Sequence, residues 1–170
     1  QAEIGRIAAE VDDVPGTVAR GQQLGGRGRE RDRHHAERGE AMVEDLRGMF
    51  AFSVWDVQKR TLILARDPNG IKPLYYADDG WTIRFSSQVK ALLAGGGCAT
   101  TPDPAGITGF YLHGYVPEPY TMYAAIRALP AGCTLRVDDI GIHGPRQYFN
   151  LAEVYKQAET LPLDAAPRQD

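Results

Sequence analysis

The stretch Leu62–Tyr76, "LILARDPNGIKPLYY", decides the fold. An apolar run ends in Arg66-Asp67, a Pro68-Asn69-Gly70 turn follows, and a second apolar run opens behind Lys72-Pro73. Gly70 can take the positive φ that such a turn requires. The first run is apolar at successive rather than alternate positions, so its strand is covered on both faces. The charges beside the turn admit two readings. Arg66, Asp67 and Lys72 contact a ligand, or they pin the turn, with Asp67 accepting backbone N–H groups beyond Pro68.

The neighbouring segments extend the pattern. "MFAFSVWD" (Met49–Asp56) is again apolar on both faces, with Phe50, Phe52 and Val54 on one side and Met49, Ala51 and Trp55 on the other. "LYYAD" reads as a third strand, Asp79-Gly80 as a hairpin turn, and "WTIRFSS" (Trp81–Ser87) as a fourth strand. Ahead of them "GEAMVEDLRG" (Gly39–Gly48) predicts a helix burying Met42, Val43 and Leu46 and stopped by Gly48. Behind them "QVKALLAG" predicts a short helix closed by Gly95. Short strands joined by brief turns pair as antiparallel neighbours. Helices flank the strands instead of alternating with them, which argues for an α+β layered domain. Two-sided apolarity adds a second sheet on one side and helices on the other.

Downstream, Asp103-Pro104 marks a helix entry, and that helix is expected to turn Ile107, Phe110 and Tyr111 inward. "PEPYTMYAAIRALPAG" reads as ordered irregular chain, and Thr134–Phe149 as a hairpin around Asp139-Ile140-Gly141. Asn150–Asp170 reads as a polar tail, with residues 152–170 a linker. At the other end, Glu3–Val14 reads as a short amphipathic helix through Ile4, Ile7, Ala8 and Val11. Gly21–Gly39, "GQQLGGRGRERDRHHAERG", has no aromatic residue and one large apolar residue, Leu24, so it cannot bury a face.

Composition bounds the function. A chain of 170 residues, 43% apolar, holds one ordinary domain with a real core. A net charge of −3 recruits neither nucleic acid nor anionic membrane. No apolar run approaches the ~20 residues of a membrane span, and Gln1–Glu10 lacks the apolar core of a signal peptide, which makes a cytoplasmic protein the expectation. Cys98 and Cys133 are the two cysteines and form no disulfide framework.

Four segments in one order, "GMFAFSVWD", "LILARDPNGIKPLYY", "IRFSSQVKALLAGG" and "GYVPEPYTMYAAIRALPAG", resemble the amidotransferase domain of glutamine-hydrolysing asparagine synthetase. The resemblance runs from about Gly39 to Leu151. Tyr123 stands where that family has Phe, and Ala131 where it often has Pro. The residues carrying it are Phe50, Trp55, Asp56, Arg66, Asp67, Gly70, Lys72, Pro73, Tyr75, Ser87, Lys90, Gly114 and Pro117. It implies an N-terminal-nucleophile fold of the α-β-β-α sandwich type. It implies class II chemistry, in which an N-terminal cysteine attacks the side-chain amide of glutamine with its own α-amino group as base. An Asn-Gly pair supplies the oxyanion hole, and an Asp and an Arg hold the substrate. Ammonia then passes to a synthetase domain that adenylates aspartate with ATP and Mg²⁺.

The residues of that chemistry find no match here. Position 1 is Gln1, Cys98 is the first cysteine, and N-G-E-x-Y-N, S-D-x-E and S-G-G-x-D-S do not occur. The expectation is therefore a partial domain over 40–151, cut at both ends and inactive alone, with no catalytic, cofactor or metal residue of its own. The segment 1–39 is unlike the family, as a shifted reading frame would make it. The substrate groups of the family lie elsewhere, so Arg66, Asp67 and Lys72 are read as structural. The alternative in another class is a non-catalytic remnant, or an interaction module using its Arg/Gly arm.

Four further candidates are set aside on the residues. Cys98 with His113 as base lacks a rigid elbow in its glycine run. Cys133 reads as a buried small hydrophobe. The adjacent His34 and His35 point apart and have no partner at zinc-ligand spacing. The Arg-Gly run 20–38 has no interleaved aromatics, and Glu30, Asp32 and Glu37 dilute it as a nucleic-acid arm.

Overall fold

The computed structural model describes residues 8–9 and 38–160. The strands are β1 (Ala8–Ala9), β2 (Ala51–Asp56), β3 (Thr61–Arg66), β4 (Tyr75–Asp78), β5 (Ile83–Ser86), β6 (Ile126–Ala128), β7 (Cys133–Val137) and β8 (Ile142–Gln147). The α-helices are α1 (Val89–Ala94), α2 (Pro104–His113) and α3 (Leu151–Thr160), and a 3-10 helix spans Gly39–Glu44.

The strands form two sheets, ordered β2-β3-β7-β8 and β1-β5-β4-β6. All pairs are antiparallel except β1, which lies parallel to β5 with Ala8 opposite Arg84 and Ala9 opposite Phe85. β3 is buried at every position, as the apolar run Leu62–Ala65 at its centre requires. Its Leu62 and Leu64 join Ala51, Cys133 and Leu135 in a cluster shared with Ile83 and Phe85 of the facing sheet. Ala65 and Phe52 point the other way, onto Met42 and Val43 of the 3-10 helix. On the outer side of the second sheet, Ala77 and Ile126 pack with Leu92 of α1. Each fully buried Leu, Ile or Phe in these clusters contributes about 1.5–3 kcal/mol.

The α+β class holds and β3 is covered on both faces, and several expectations are corrected. The Leu62–Tyr76 stretch is not a hairpin. β3 and β4 belong to different sheets, so the Asp67–Pro73 turn is a corner between layers. The expected helix over Gly39–Gly48 is a 3-10 helix that still buries Met42 and Val43; its short span is closed by an i→i+3 bond from Asp45 N–H to the Met42 carbonyl. Met49 and Trp55, on either side of Ala51, are 63% and 45% exposed, because Ala51 alone of that face joins the shared cluster. Ala8 and Ala9, read as helical, are strand, while the rest of Glu3–Val14 lies outside the described residues. "PEPYTMYAAIRALPAG" hides β6, three residues held against β4. Residues 151–160, read as tail, form α3, every residue of which is exposed.

The largest correction concerns α2. Asp103 caps it as read, its Oδ1 accepting from Ala105 and Gly106 N–H, with Pro104 at the first position. Yet Gly106 and Gly109 form its buried face, and Tyr111 and Leu112 are 83% and 72% exposed. A Cβ on Gly106 would strike the Thr121 carbonyl, and one on Gly109 the Pro117 ring. The helix is pressed backbone-first onto residues 116–121, so Phe110, Tyr111 and Leu112 point away while Ile107 is half-buried.

Candidate functional site

The corner at Arg66–Lys72 gathers more hydrogen bonds than any sequence pattern announced. Asp67 Oδ1 accepts from the N–H of Asn69 at 3.1 Å and of Ile71 at 3.0 Å, and Oδ2 accepts from Lys72 N–H at 2.9 Å. A buried carboxylate is tolerable only with such donors. Arg66, whose side chain is 7% exposed, donates from Nε to the Lys72 carbonyl at 2.8 Å and from Nη2 to the Gly70 carbonyl at 2.7 Å. Its Nη1 donates to the Leu129 carbonyl and to Glu118 Oε1, both at 2.6 Å. The fixed fork of guanidinium donors suits this spread of acceptors as an ammonium would not. Gly70 has φ +64°, and a Cβ there would press on Ala131 and the Arg66 guanidinium.

The second crossing between the sheets, from β6 to β7, runs beside the first. Gly132 N–H donates to the Asp67 carbonyl at 2.9 Å and Leu129 N–H to the Leu74 carbonyl at 2.8 Å. Tyr148 O–H donates to the Arg66 carbonyl at 2.7 Å. Burial pushes the Tyr148 phenol pKa far up, and the nearby Asp67 carboxylate and Cys133 add to it, so the phenol stays a donor. Burial also pushes the Cys133 thiol up, helped by Glu118 and opposed by Arg66. A buried, protonated thiol is a poor nucleophile.

The signature residues do not all converge. Arg66, Asp67, Gly70 and Lys72 share the corner. Phe50 joins them through its carbonyl, which accepts from Asp67 N–H at 2.8 Å, and its ring lies 5.5 Å from that of Phe52. Pro73 is exposed at the corner's exit, and Tyr75 packs toward α1. Trp55 and Asp56 stand at the opposite end of β2, where Asp56 Oδ1 accepts from Gln58 and Lys59 N–H. Ser87 follows β5, Lys90 is exposed on α1, Gly114 ends α2 with φ +75°, and Pro117 packs under Gly109. Cys98 packs on the α1 side, whereas His113 ends α2 with its ring 5.8 Å from that of Tyr115; no hydrogen bond joins the two. His34, His35 and nearly all of the Arg-Gly run lie outside the described residues. Among the described residues no group of His, Cys, Asp and Glu could hold a metal ion, and no helix is long and apolar enough to cross a membrane.

Glu118, Leu129, Gly132 and Tyr148 were missed. Glu118 had one local signal, a lone carboxylate between two prolines. The others act through backbone groups or a single hydroxyl, which residue type does not advertise.

Comparison with known proteins places the chain. It belongs to the glutamine amidotransferase domain family, whose match covers residues 33–149 and so begins inside the segment 1–39. A Mycobacterium tuberculosis (strain H37Rv) relative, named provisionally as an asparagine synthetase [glutamine-hydrolyzing], is 39% identical over 102 residues, 58% of this chain and 16% of that protein. Asparagine synthetase [glutamine-hydrolyzing] 1 of Bacillus subtilis (strain 168) is 35% identical over 117 residues, 69% of this chain and 18% of its own length. The chain thus spans under a fifth of these relatives.

Proposed function

We propose that this chain supplies part of the glutamine-hydrolysing half of an amide-forming ligase of the asparagine synthetase kind. The observation that carries the reading is the family match over 33–149, together with relatives named for glutamine hydrolysis. In that reading the two facing sheets are an incomplete N-terminal-nucleophile sandwich of the α-β-β-α type. Glutamine is the nitrogen donor and aspartate the acceptor of the whole enzyme. ATP and Mg²⁺ serve its synthetase part, and among the described residues no group of His, Cys, Asp and Glu fits a metal ion.

The residues in hand then serve the fold that carries the chemistry. Arg66 and Asp67 direct their charge to backbone groups and to Glu118 at the corner, leaving the attack on glutamine to a nucleophile outside residues 40–151. The 170 residues contain no cysteine ahead of Cys98, which supports the reading that they do not turn over glutamine alone.

A glutaminase assay tests both parts. The 170-residue chain is expected to release no glutamate from glutamine. A chimera replacing residues 1–39 with the corresponding start of the Bacillus subtilis relative is expected to gain that activity. A folded but inactive chimera overturns the assignment to a glutaminase half. Turnover by the chain alone overturns its proposed inactivity.

A further inference from the structure

We propose that Asn69–Gly70 is a site of spontaneous covalent modification, a deamidation gated by the Asp67 turn. The chemistry needs only water. The Gly70 backbone nitrogen loses its proton and attacks Asn69 Cγ, closing a five-membered imide. Nδ2 leaves with that proton as ammonia, and water then opens the ring at either carbonyl to give aspartate or isoaspartate. A glycine after the asparagine offers no side chain to hinder the attack, and Asn69 is exposed to solvent.

The sequence cannot readily lose this liability, since φ +64° and the contacts of a Cβ with Ala131 and Arg66 hold the position to glycine. The turn instead suppresses the reaction. Gly70 N–H donates to the Asp67 carbonyl at 3.0 Å, so the attacking nitrogen is neither deprotonated nor free to swing onto Cγ. On either side, Asn69 N–H and Ile71 N–H are held by Asp67 Oδ1, and the Gly70 carbonyl is held by Arg66. Closure therefore waits on local opening of the corner. An isoaspartate at position 69 adds a methylene to the backbone and a charge beside Asp67, so the modified turn cannot re-form its bonds.

The test compares the full chain in buffer and in denaturant at mildly alkaline pH, followed by mass spectrometry of the 62–76 region and enzymatic detection of isoaspartate, with Asn69→Gln as the assignment control. Product at Asn69 is expected in both conditions, forming about tenfold or more faster in denaturant, as a gate of local opening requires. Equal rates overturn the gate. No product at residue 69 in denaturant overturns the site.

Discussion

Tyr148, at the end of β8, donates its hydroxyl to the carbonyl of Arg66, the residue at which β3 leaves its sheet. One aromatic side chain thereby fastens an edge strand to the corner between layers. Tyr148→Phe leaves that carbonyl without its donor and is expected to lower the unfolding free energy by about 1 kcal/mol in urea titration.

The same contact has an alkaline signature. The folded phenol pKa is raised, so its contribution is fully present below the ordinary tyrosine value of about 10 and is lost as pH rises past it, while the unfolded state ionises first. Thermal melts from pH 8 to 11 are expected to fall more steeply for the native chain than for Tyr148→Phe. Parallel curves would remove Tyr148 from the account.

Asp67 carries three backbone N–H groups on one buried carboxylate. Asp67→Ala strands them and is expected to cost roughly 3 kcal/mol or more, read as a drop in the denaturation midpoint. Lys72→Ala keeps the backbone donor and is expected to stay within about 0.5 kcal/mol. A large effect of Lys72→Ala would point to a role for its ammonium that the corner does not need.

Gly106→Ala sets a methyl against the Thr121 carbonyl and is expected to destabilise by about 1–3 kcal/mol, against the gain that alanine brings to an ordinary helix. Tyr111→Ala on the opposite face is expected to be nearly neutral. Calorimetry of the two variants gives the order directly, and the reverse order would refute the backbone-first docking of α2.

Asp103 pairs with Arg127 while capping α2. The hydrogen bond from Arg127 is the main cause holding its carboxyl below the usual range, with the capping N–H groups adding and burial opposing. A depressed folded pKa gives stability that is present above the ordinary aspartate value of about 3.9 and lost as pH falls through the lower folded value. Melts from pH 6 to 2 are expected to show a shallower acid loss in Arg127→Gln. An unchanged slope would contradict the pairing.

What could be read from residue types alone was what repeats or caps. The unbroken TLILAR run announced a doubly covered strand, Asp79-Gly80 announced the β4–β5 hairpin, and Asp103-Pro104 announced the start of α2. What escaped was long-range or silent. Asp-Pro-Asn-Gly has the same turn chemistry whether the next strand pairs with the last or crosses to another layer, and nothing local in "LYYAD" names its partner. The buried face of α2 is glycine, which carries no hydrophobic signal, so its aromatic residues drew the inward assignment that belonged to Gly106 and Gly109. β6 is too short to show a period. The corner was legible for Asp67, whose turn-capping role is local, and not for Tyr148, 82 residues from its partner carbonyl.

The β3–β4 and β6–β7 crossings between the sheets lie at one end of the sandwich and are hydrogen-bonded to each other, while the hairpin tips at Asp56–Thr61, Asp79–Thr82 and Asp138–Gly141 lie at the other. Among the described residues the two layers are thus bound like the covers of a book along a single spine, residues 66–74 and 129–132. A substitution in that spine therefore reaches both layers at once, whereas one at a hairpin tip reaches a single sheet.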